Sequence, residues 1–167
     1  RPPRSTLFPY TTLFRSEAAK HKGTSVIEVL QNCVIFNDNI HEKVTGRDHR
    51  DDRTIILRHG EPMIFGREND KGLILEGLKM KVVRIGENDI TTGDLLKHDA
   101  KEPNPGIHYM LANMRYPEYP VALGVIRAVE GKTYETDMEE QIRNIKADSK
   151  IKSMDDLLKS GSTWEVR

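Results

Sequence analysis

The one cysteine of the sequence, Cys33, is its most promising residue for chemistry. It follows residues 24–30 (TSVIEVL), a β-branched and largely apolar run typical of a buried parallel strand. Ligands of parallel α/β sheets gather beyond the carboxyl ends of the strands, and Cys33 lies at such a place. A thiolate there could attack a substrate or bind a metal.

Each of these roles needs partners that the sequence near Cys33 does not offer. A nucleophilic cysteine needs a base, and none of the six histidines has a spacing that places it beside the thiol. An iron–sulfur cluster usually takes four thiolates, of which Cys33 would supply one. The simpler interpretation is a small buried hydrophobic side chain, and from the residues alone these alternatives stay open.

Other residues with chemical potential are predicted to be structural. Residues 49–51 (HRD) have the letters that open a kinase catalytic loop, but Ile56 stands where that motif needs Asn, which favours a solvated turn. His98 and Asp99 could form a metal pair, yet no other histidine or carboxylate stands at a supporting spacing. Two further histidines have no partner in the sequence: His59 and His108.

The composition argues against several classes of partner. The chain has 26 basic and 26 acidic residues with both signs interspersed. This composition predicts no positive electrostatic potential that would attract nucleic acid or an anionic membrane. The mean hydropathy is −0.60 and no apolar run approaches the roughly 20 residues of a membrane span, which predicts a soluble chain. A single cysteine allows no internal disulfide and fits a reducing cytoplasm.

Residues 1–16 (RPPRSTLFPYTTLFRS) follow neither a helical nor an alternating apolar period, and no packed element is predicted for them. Residues 6–16 also resemble the conceptual translation of a common sequencing-library adapter. A targeting peptide would share the arginines, but the segment lacks a continuous apolar core and a small-residue cleavage site. We therefore predict that this segment is not native and that the natural polypeptide began upstream of Glu17.

The rest of the chain predicts an α/β fold. Residues 17–48 have the pattern of the closing unit of a parallel-sheet domain, with a helix end at residues 17–22, a turn at Gly23 and a strand at residues 24–30. A charged linker at residues 48–53 marks the predicted boundary of this unit.

Residues 49–130 predict a second domain, a small and mostly antiparallel β region with short helices. Its expected elements are a hairpin or edge pairing of residues 54–60 with 62–66, a second pair at 71–75 and 79–85, helices at 91–97 and 104–114, and a strand at 121–129. Asn104 is the expected cap of the second helix, with Pro105 in the first turn, where its missing N–H costs nothing.

Residues 131–167 predict a helical tail with two amphipathic arms. Thr136 and Glu139 have the spacing of a capping box at the head of the first arm, and Ser153 begins the second. Trp164 is expected to anchor the end of the tail. The apolar stripes predicted to pack are Met138, Ile142 and Ile145 in the first arm, and Met154, Leu157 and Leu158 in the second.

Around Cys33 the sequence resembles a known family. Residues 21–38 are similar to the stretch of 2-oxoacid:ferredoxin oxidoreductase beta subunits in which a helix and a strand lead to a Q-x-C-x-x-F-N-D loop. The matching positions are Gln31, Cys33, Phe36, Asn37 and Asp38. Residues 57–66 resemble the family's hairpin after the cluster loop, and residues 117–136 resemble its late P-x-F-P-x-A-x-G-V-x-R stretch, so three segments occur in the family's order.

The resemblance implies that Cys33 is one ligand of a [4Fe-4S] cluster, whose other three cysteines precede it in the family. The family's thiamine diphosphate and Mg²⁺ sites use a G-D-G motif with a downstream Asn that this chain lacks. The chain alone is therefore expected to bind neither thiamine diphosphate nor the cluster, and to be inactive. Asn37 and Asp38 would either hydrogen-bond around the cluster or cap the next turn, and both interpretations stay open.

For the whole enzyme, the resemblance implies oxidative decarboxylation of a 2-oxoacid to an acyl-CoA, with coenzyme A as acyl acceptor and ferredoxin as electron acceptor. An alpha subunit is the expected partner that completes the active site. 2-Oxoglutarate is the expected substrate, because residues 131–167 resemble the tails of beta subunits usually labelled that way. The rival hypothesis is a non-catalytic protein-interaction module in which Cys33 is an inert core thiol.

Overall fold

The computed structural model describes residues 9–164 and residue 166. Their helices are α1 (Pro9–Lys20), α2 (Glu42–Thr45), α3 (Arg50–Arg53), α4 (Gly106–Ala112), α5 (Tyr134–Asp148) and α6 (Met154–Leu158). Their strands are β1 (Thr54–Leu57), β2 (Ile64–Phe65), β3 (Lys71–Glu76), β4 (Lys79–Arg84) and β5 (Val121–Gly124). The chain divides into two units, one up to Glu130 and one from Gly131 onward. Helices combined with parallel and antiparallel strand pairing confirm the predicted α/β class.

Strands β1 and β5 form a parallel pair in the first unit. Their register runs from Thr54 opposite Val121 to Leu57 opposite Gly124. Gly124 has φ +111°, and a Cβ at this position would lie 2.6 Å from the Leu57 carbonyl oxygen. The two backbones therefore approach each other at a place that only glycine fills without strain.

A three-stranded antiparallel sheet with the order β2-β3-β4 forms the other β element of this unit. Strands β3 and β4 make a hairpin whose register runs from Lys71 opposite Arg84 to Glu76 opposite Lys79. This confirms the predicted pairing of residues 71–75 with 79–85.

The hydrophobic core of the first unit joins these strands to helix α4. Because strands and helix each bury one apolar face, they must cover one another to remove that surface from water. The buried residues of this core are Ile55, Leu57, Met63, Phe65, Leu73, Met80, Leu111 and Met114.

The predicted strand at residues 24–30 is wrong for this structure. The segment is extended but pairs with no strand among the described residues, and its apolar side chains are exposed, Val26 by 91% and Val29 by 73%. A parallel strand needs a neighbour to satisfy its backbone N–H and C=O groups and cover its two faces. Local β propensity does not supply that neighbour.

Two other local predictions were overridden by tertiary pairing. Residues 54–60 and 62–66 do not form a hairpin with each other, because β1 pairs with β5 and β2 pairs with β3. Residues 91–97 are not a helix. Instead the Leu96 N–H donates to the Leu73 carbonyl, while the Leu96 carbonyl accepts from the Met63 N–H.

The sequence located the helices correctly more often than it located their first and last residues. Helix α1 confirms the helix end predicted from Glu17, but it begins at Pro9, inside the segment for which no element was predicted. Helix α4 begins at Gly106 with Pro105 as its N-cap residue, so the predicted cap at Asn104 is wrong by one position, although the Asn104 Oδ1 accepts from the Gly106 N–H at 2.9 Å. The predicted strand at 121–129 ends at Gly124.

The second unit contains helices α5 and α6. Helix α5 is capped by Thr133, whose side chain accepts from the Thr136 N–H, so the predicted box at Thr136 lies one turn too late. The capping box of Ser153 and Asp156 at α6 is present as predicted. Trp164 is 84% exposed and does not anchor the tail.

The apolar stripes of both arms are exposed as well, which contradicts their predicted packing within the described chain. In the part of the chain that the structure describes, no helix has both the length and the apolar character that a membrane crossing requires.

Candidate functional site

The candidate site is the loop around Cys33, where the chain reverses direction. Cys33 and Asn37 form an isolated antiparallel bridge, and the Asn37 N–H donates to the Cys33 carbonyl at 2.9 Å. The three residues between them form the tip of a tight turn. This conformation is local, so the loop forms without a neighbouring strand.

The backbone of the turn lowers the pKa of the Cys33 thiol. The N–H of Phe36 has the largest effect, followed by that of Ile35, and the N–H of Asn37 adds to them. Together they lower the pKa of the Cys33 thiol, while nearby protein atoms that displace water from the sulfur raise it in part. The loop therefore favours the thiolate, which is the form that binds metals.

Side chains on either side of the turn brace it. The Asn32 Nδ2 donates to the Asp38 Oδ1 at 2.8 Å, and the Asn32 Oδ1 accepts from the Asn39 N–H at 2.8 Å. Asn39 adopts a left-handed φ of 58°, which asparagine tolerates better than most residues. Asp38 thus holds the loop through Asn32, and it does not cap helix α2, which begins at Glu42.

The surroundings of Cys33 are apolar and open. Cys33 itself is exposed, so it is not a core thiol of this chain. The neighbouring side chains of the turn are exposed too: Val34 by 75%, Ile35 by 82% and Phe36 by 88%. Adjacent apolar side chains left in water mark a surface that other protein covers more often than a free surface.

At this loop the described residues offer one side chain of a type that can bind a metal, the thiol of Cys33. No group of three or more histidine, cysteine, aspartate or glutamate side chains that could hold a metal ion occurs among residues 9–164 and 166. An exposed cysteine whose pKa is lowered could serve as a single ligand of a cluster whose other ligands come from elsewhere.

The other candidates from the sequence do not form a site. Residues 49–51 are exposed, as predicted, but Arg50 and Asp51 belong to helix α3 and not to a turn. The Arg50 Nε lies 3.6 Å from the Asp51 Oδ1. The His98 ring points to the Val125 carbonyl, whereas the Asp99 carboxylate lies 3.3 Å from the Nδ1 of His59. His98 and Asp99 therefore do not face a shared position.

Sequence reasoning missed one arrangement of titratable groups. The rings of His98 and His108 are both buried, and their centroids lie 6.2 Å apart. Arg127 contacts His108 from a segment far along the chain. No spacing rule links these three positions, because loops and tertiary packing bring them together.

The fold and the loop define an α/β protein that presents one exposed cysteine on a braced turn. The chain is similar to the 2-oxoglutarate oxidoreductase subunit KorB of Mycobacterium tuberculosis (strain ATCC 25618 / H37Rv), with 29% identity over 153 residues. This match covers 89% of the chain and 40% of that protein, so the chain spans less than half the length of its curated relative. The predicted resemblance to the beta subunits of 2-oxoacid:ferredoxin oxidoreductases is confirmed by this match. No family model and no solved structure matches the chain.

Proposed function

We propose that the chain is part of the beta subunit of a 2-oxoacid:ferredoxin oxidoreductase and that Cys33 supplies one thiolate to its [4Fe-4S] cluster. The observation that carries the proposal is the exposed Cys33 on a turn braced by Asn32, within the loop that resembles the family. The similarity to a 2-oxoglutarate oxidoreductase subunit over most of the chain supports it.

The role of the loop follows from the chemistry of sulfur ligands. Hydrogen bonds from backbone N–H groups stabilise negative charge on a ligating thiolate, and they raise the reduction potential of a cluster because its reduced form carries more negative charge. In this chain Phe36 and Ile35 provide those N–H groups, and Asn32 fixes the turn that aims them. The apolar side chains of the turn would exclude water from the cluster once other protein covers them.

The remaining parts of the reaction belong to protein outside the described residues. When bound, thiamine diphosphate with Mg²⁺ supplies the decarboxylation chemistry, and the cluster supplies a one-electron path to ferredoxin. Coenzyme A would accept the acyl group, and an alpha subunit would complete the active site. We propose 2-oxoglutarate as the substrate, because the similar protein of Mycobacterium tuberculosis is a subunit of a 2-oxoglutarate oxidoreductase. We also propose a cytoplasmic location.

The exposed segment before the loop supports an assembly larger than this chain. Residues 24–30 carry the apolar, β-branched pattern of a parallel strand, yet Val26 and Val29 lie in water. We infer that in the complete enzyme this segment joins a parallel sheet, which would satisfy its backbone and cover its side chains. The chain by itself would then be inactive.

The second candidate function is a non-catalytic protein-interaction module. The exposed apolar stripe of α5 favours it, with Met138 40% exposed and Ile145 62% exposed. An inert core thiol was part of this hypothesis, and the exposure of Cys33 argues against that part.

The two functions are separated by the metal content of the complete enzyme. The full-length beta subunit and its alpha subunit are purified together without oxygen, and iron, sulfide and cluster absorption are measured. We expect Cys33→Ala to lose most of the iron, and Val34→Ala, an exposed neighbour in the same turn, to retain it. Equal iron in the wild type and Cys33→Ala would rule out the ligand role, and no iron in the wild type would favour the interaction module.

A further inference from the structure

Residues 98–103 are held by backbone hydrogen bonds from two sides of the first unit. On one side, the Gly60 N–H donates to the His98 carbonyl at 2.7 Å, and the His98 N–H donates to the Glu61 carbonyl at 2.9 Å. On the other side, the Ala128 N–H donates to the Ala100 carbonyl at 2.7 Å. The segment that follows β5 is thus fastened to this loop.

The side chain of His98 adds a bond that depends on its protonation state. His98 is 1% exposed, and its Nε2 lies 2.8 Å from the Val125 carbonyl oxygen. A carbonyl only accepts, so Nε2 carries the proton and the neutral ring leaves Nδ1 bare. The Nδ1 is buried and has no hydrogen-bond partner among the described residues. A second proton there would place a charged N–H in the interior without an acceptor.

His108, on helix α4, is hydrogen-bonded at both ring nitrogens. It is 4% exposed, its Nε2 donates to the Asp99 carbonyl at 2.7 Å, and its Nδ1 lies 2.8 Å from the Nη1 of Arg127. The guanidinium only donates, so Nδ1 accepts.

Arg127 connects His108 to the loop from the segment after β5. Its Nη1 also donates to the Glu102 carbonyl at 2.9 Å, and its Nη2 donates to the Pro103 carbonyl at 3.0 Å. The rings of His98 and His108 meet edge to face at 6.2 Å, so a charge on one raises the cost of a charge on the other.

We propose that His98, His108 and Arg127 form a proton-sensitive histidine clasp, which holds residues 125–128 on residues 98–103 at neutral pH and releases them in mild acid. The release would free the part of the chain that leads to Gly131 and the second unit. The clasp is independent of the proposed role of Cys33.

The charged groups around the clasp agree with this direction. Burial is the largest effect on the pKa of His98 and lowers it, and the hydrogen bond to Val125 raises it in part. Of the neighbouring groups, His108 and His59 lower the pKa of His98 and Asp99 raises it. Lys101 and Glu102 lie within the loop, and the other charged groups near it include Arg127 beside His108, and Arg58 with Glu61 in the adjoining turn.

The sign of the pH effect follows from this lowered pKa. At a pH below the ordinary histidine pKa of about 6.5, His98 binds a proton when it is released from the clasp but not while it is held in the clasp. The clasp is therefore fully stable above that pH and weakens as the pH falls toward the lower pKa of the folded state. The equilibrium for release should rise by up to about tenfold per pH unit for each proton taken up.

The test is amide hydrogen exchange followed by NMR on the 167-residue chain between pH 7.5 and 5.5. We expect the protection factor of the Ala128 amide, which donates to Ala100, to fall severalfold and by up to about tenfold over this range. The Leu73 amide of strand β3, bonded to Met63, should keep its protection. Equal losses at both amides would mean that the whole unit opens, and would overturn the proposal.

Matched variants assign the effect to the ring. In His98→Gln the side-chain amide can still donate to the Val125 carbonyl but does not titrate, so the pH dependence at Ala128 should shrink at least threefold. His49→Gln removes an exposed histidine and should behave like the wild type. A folded His98→Gln protein with unchanged pH dependence would contradict the clasp.

A measurement on the wild type covers the case in which His98→Gln does not fold. NMR signals of the His98 ring report its protonation directly during the same titration. The ring should stay neutral for as long as Ala128 is protected. A ring that becomes charged while Ala128 remains protected would overturn the proposal.

Discussion

The loop around Cys33 and the core around helix α4 are built in opposite ways. The loop is held by bonds between residues close in sequence, such as Asn32 with Asp38, and its apolar side chains lie in water. The core is held by residues far apart in sequence, and its side chains are buried. A region organised by short-range bonds can present a ligand before its partners arrive, whereas the core needs its tertiary contacts to exist at all.

The largest difference between the two regions should appear in stability. Leu111 is fully buried in the core, and Leu111→Ala should lower the free energy of unfolding by about 2–5 kcal/mol, because it removes apolar contacts and leaves a cavity. Phe36→Ala, at an exposed position in the Cys33 turn, should change it by less than about 0.5 kcal/mol. Urea unfolding of both variants measures the change in the free energy of unfolding. Similar changes for the two variants would show that the loop and the core do not differ in this way.

A backbone substitution tests the same comparison at the edge of the core. Gly124→Ala should cost about 1–3 kcal/mol, because φ is +111° there and the new Cβ would meet the Leu57 carbonyl at 2.6 Å. Gly131→Ala is the control, since no atom lies within 4 Å of its added Cβ. Thermal melts would compare the two, and an unchanged melting temperature in Gly124→Ala would show that β1 and β5 do not pair this closely.

The smallest effect is expected in the loop alone, in the reactivity of the Cys33 thiol. The rate at which iodoacetamide alkylates Cys33 should reach half its maximum at a lower pH in the folded chain than in the same chain in denaturant. The reason is that the N–H groups of Phe36 and Ile35 lower the pKa of the thiol only while the turn is formed. Asn32→Ala, which removes the brace, should move the midpoint upward. Coinciding midpoints for folded and denatured chains would remove the electrostatic basis of the ligand role.

The sequence alone predicted those features that depend on short-range chemistry. The β3-β4 hairpin and the Ser153 capping box of α6 each depend on residues a few positions apart, and both are present. The position of Cys33 in a loop after an extended apolar segment was readable for the same reason.

Where the sequence misled, a distant partner determined the outcome. Residues 24–30 have strand propensity but no neighbouring strand, and residues 91–97 have a helical pattern that hydrogen bonds to Leu73 and Met63 override. The wrong cap of α5 is a smaller error, because Thr133 and Thr136 are both acceptable capping residues one turn apart.

Residue types and near-neighbour spacing thus determined the α/β class, the positions of helices α4 to α6 and the place of the one cysteine in a loop. Only the tertiary structure decided that β1 pairs with β5, and only it brought His98, His108 and Arg127 together around one loop. Turns and caps are local equilibria of a few residues, whereas strand partners and buried polar contacts depend on the whole chain closing its long loops at once.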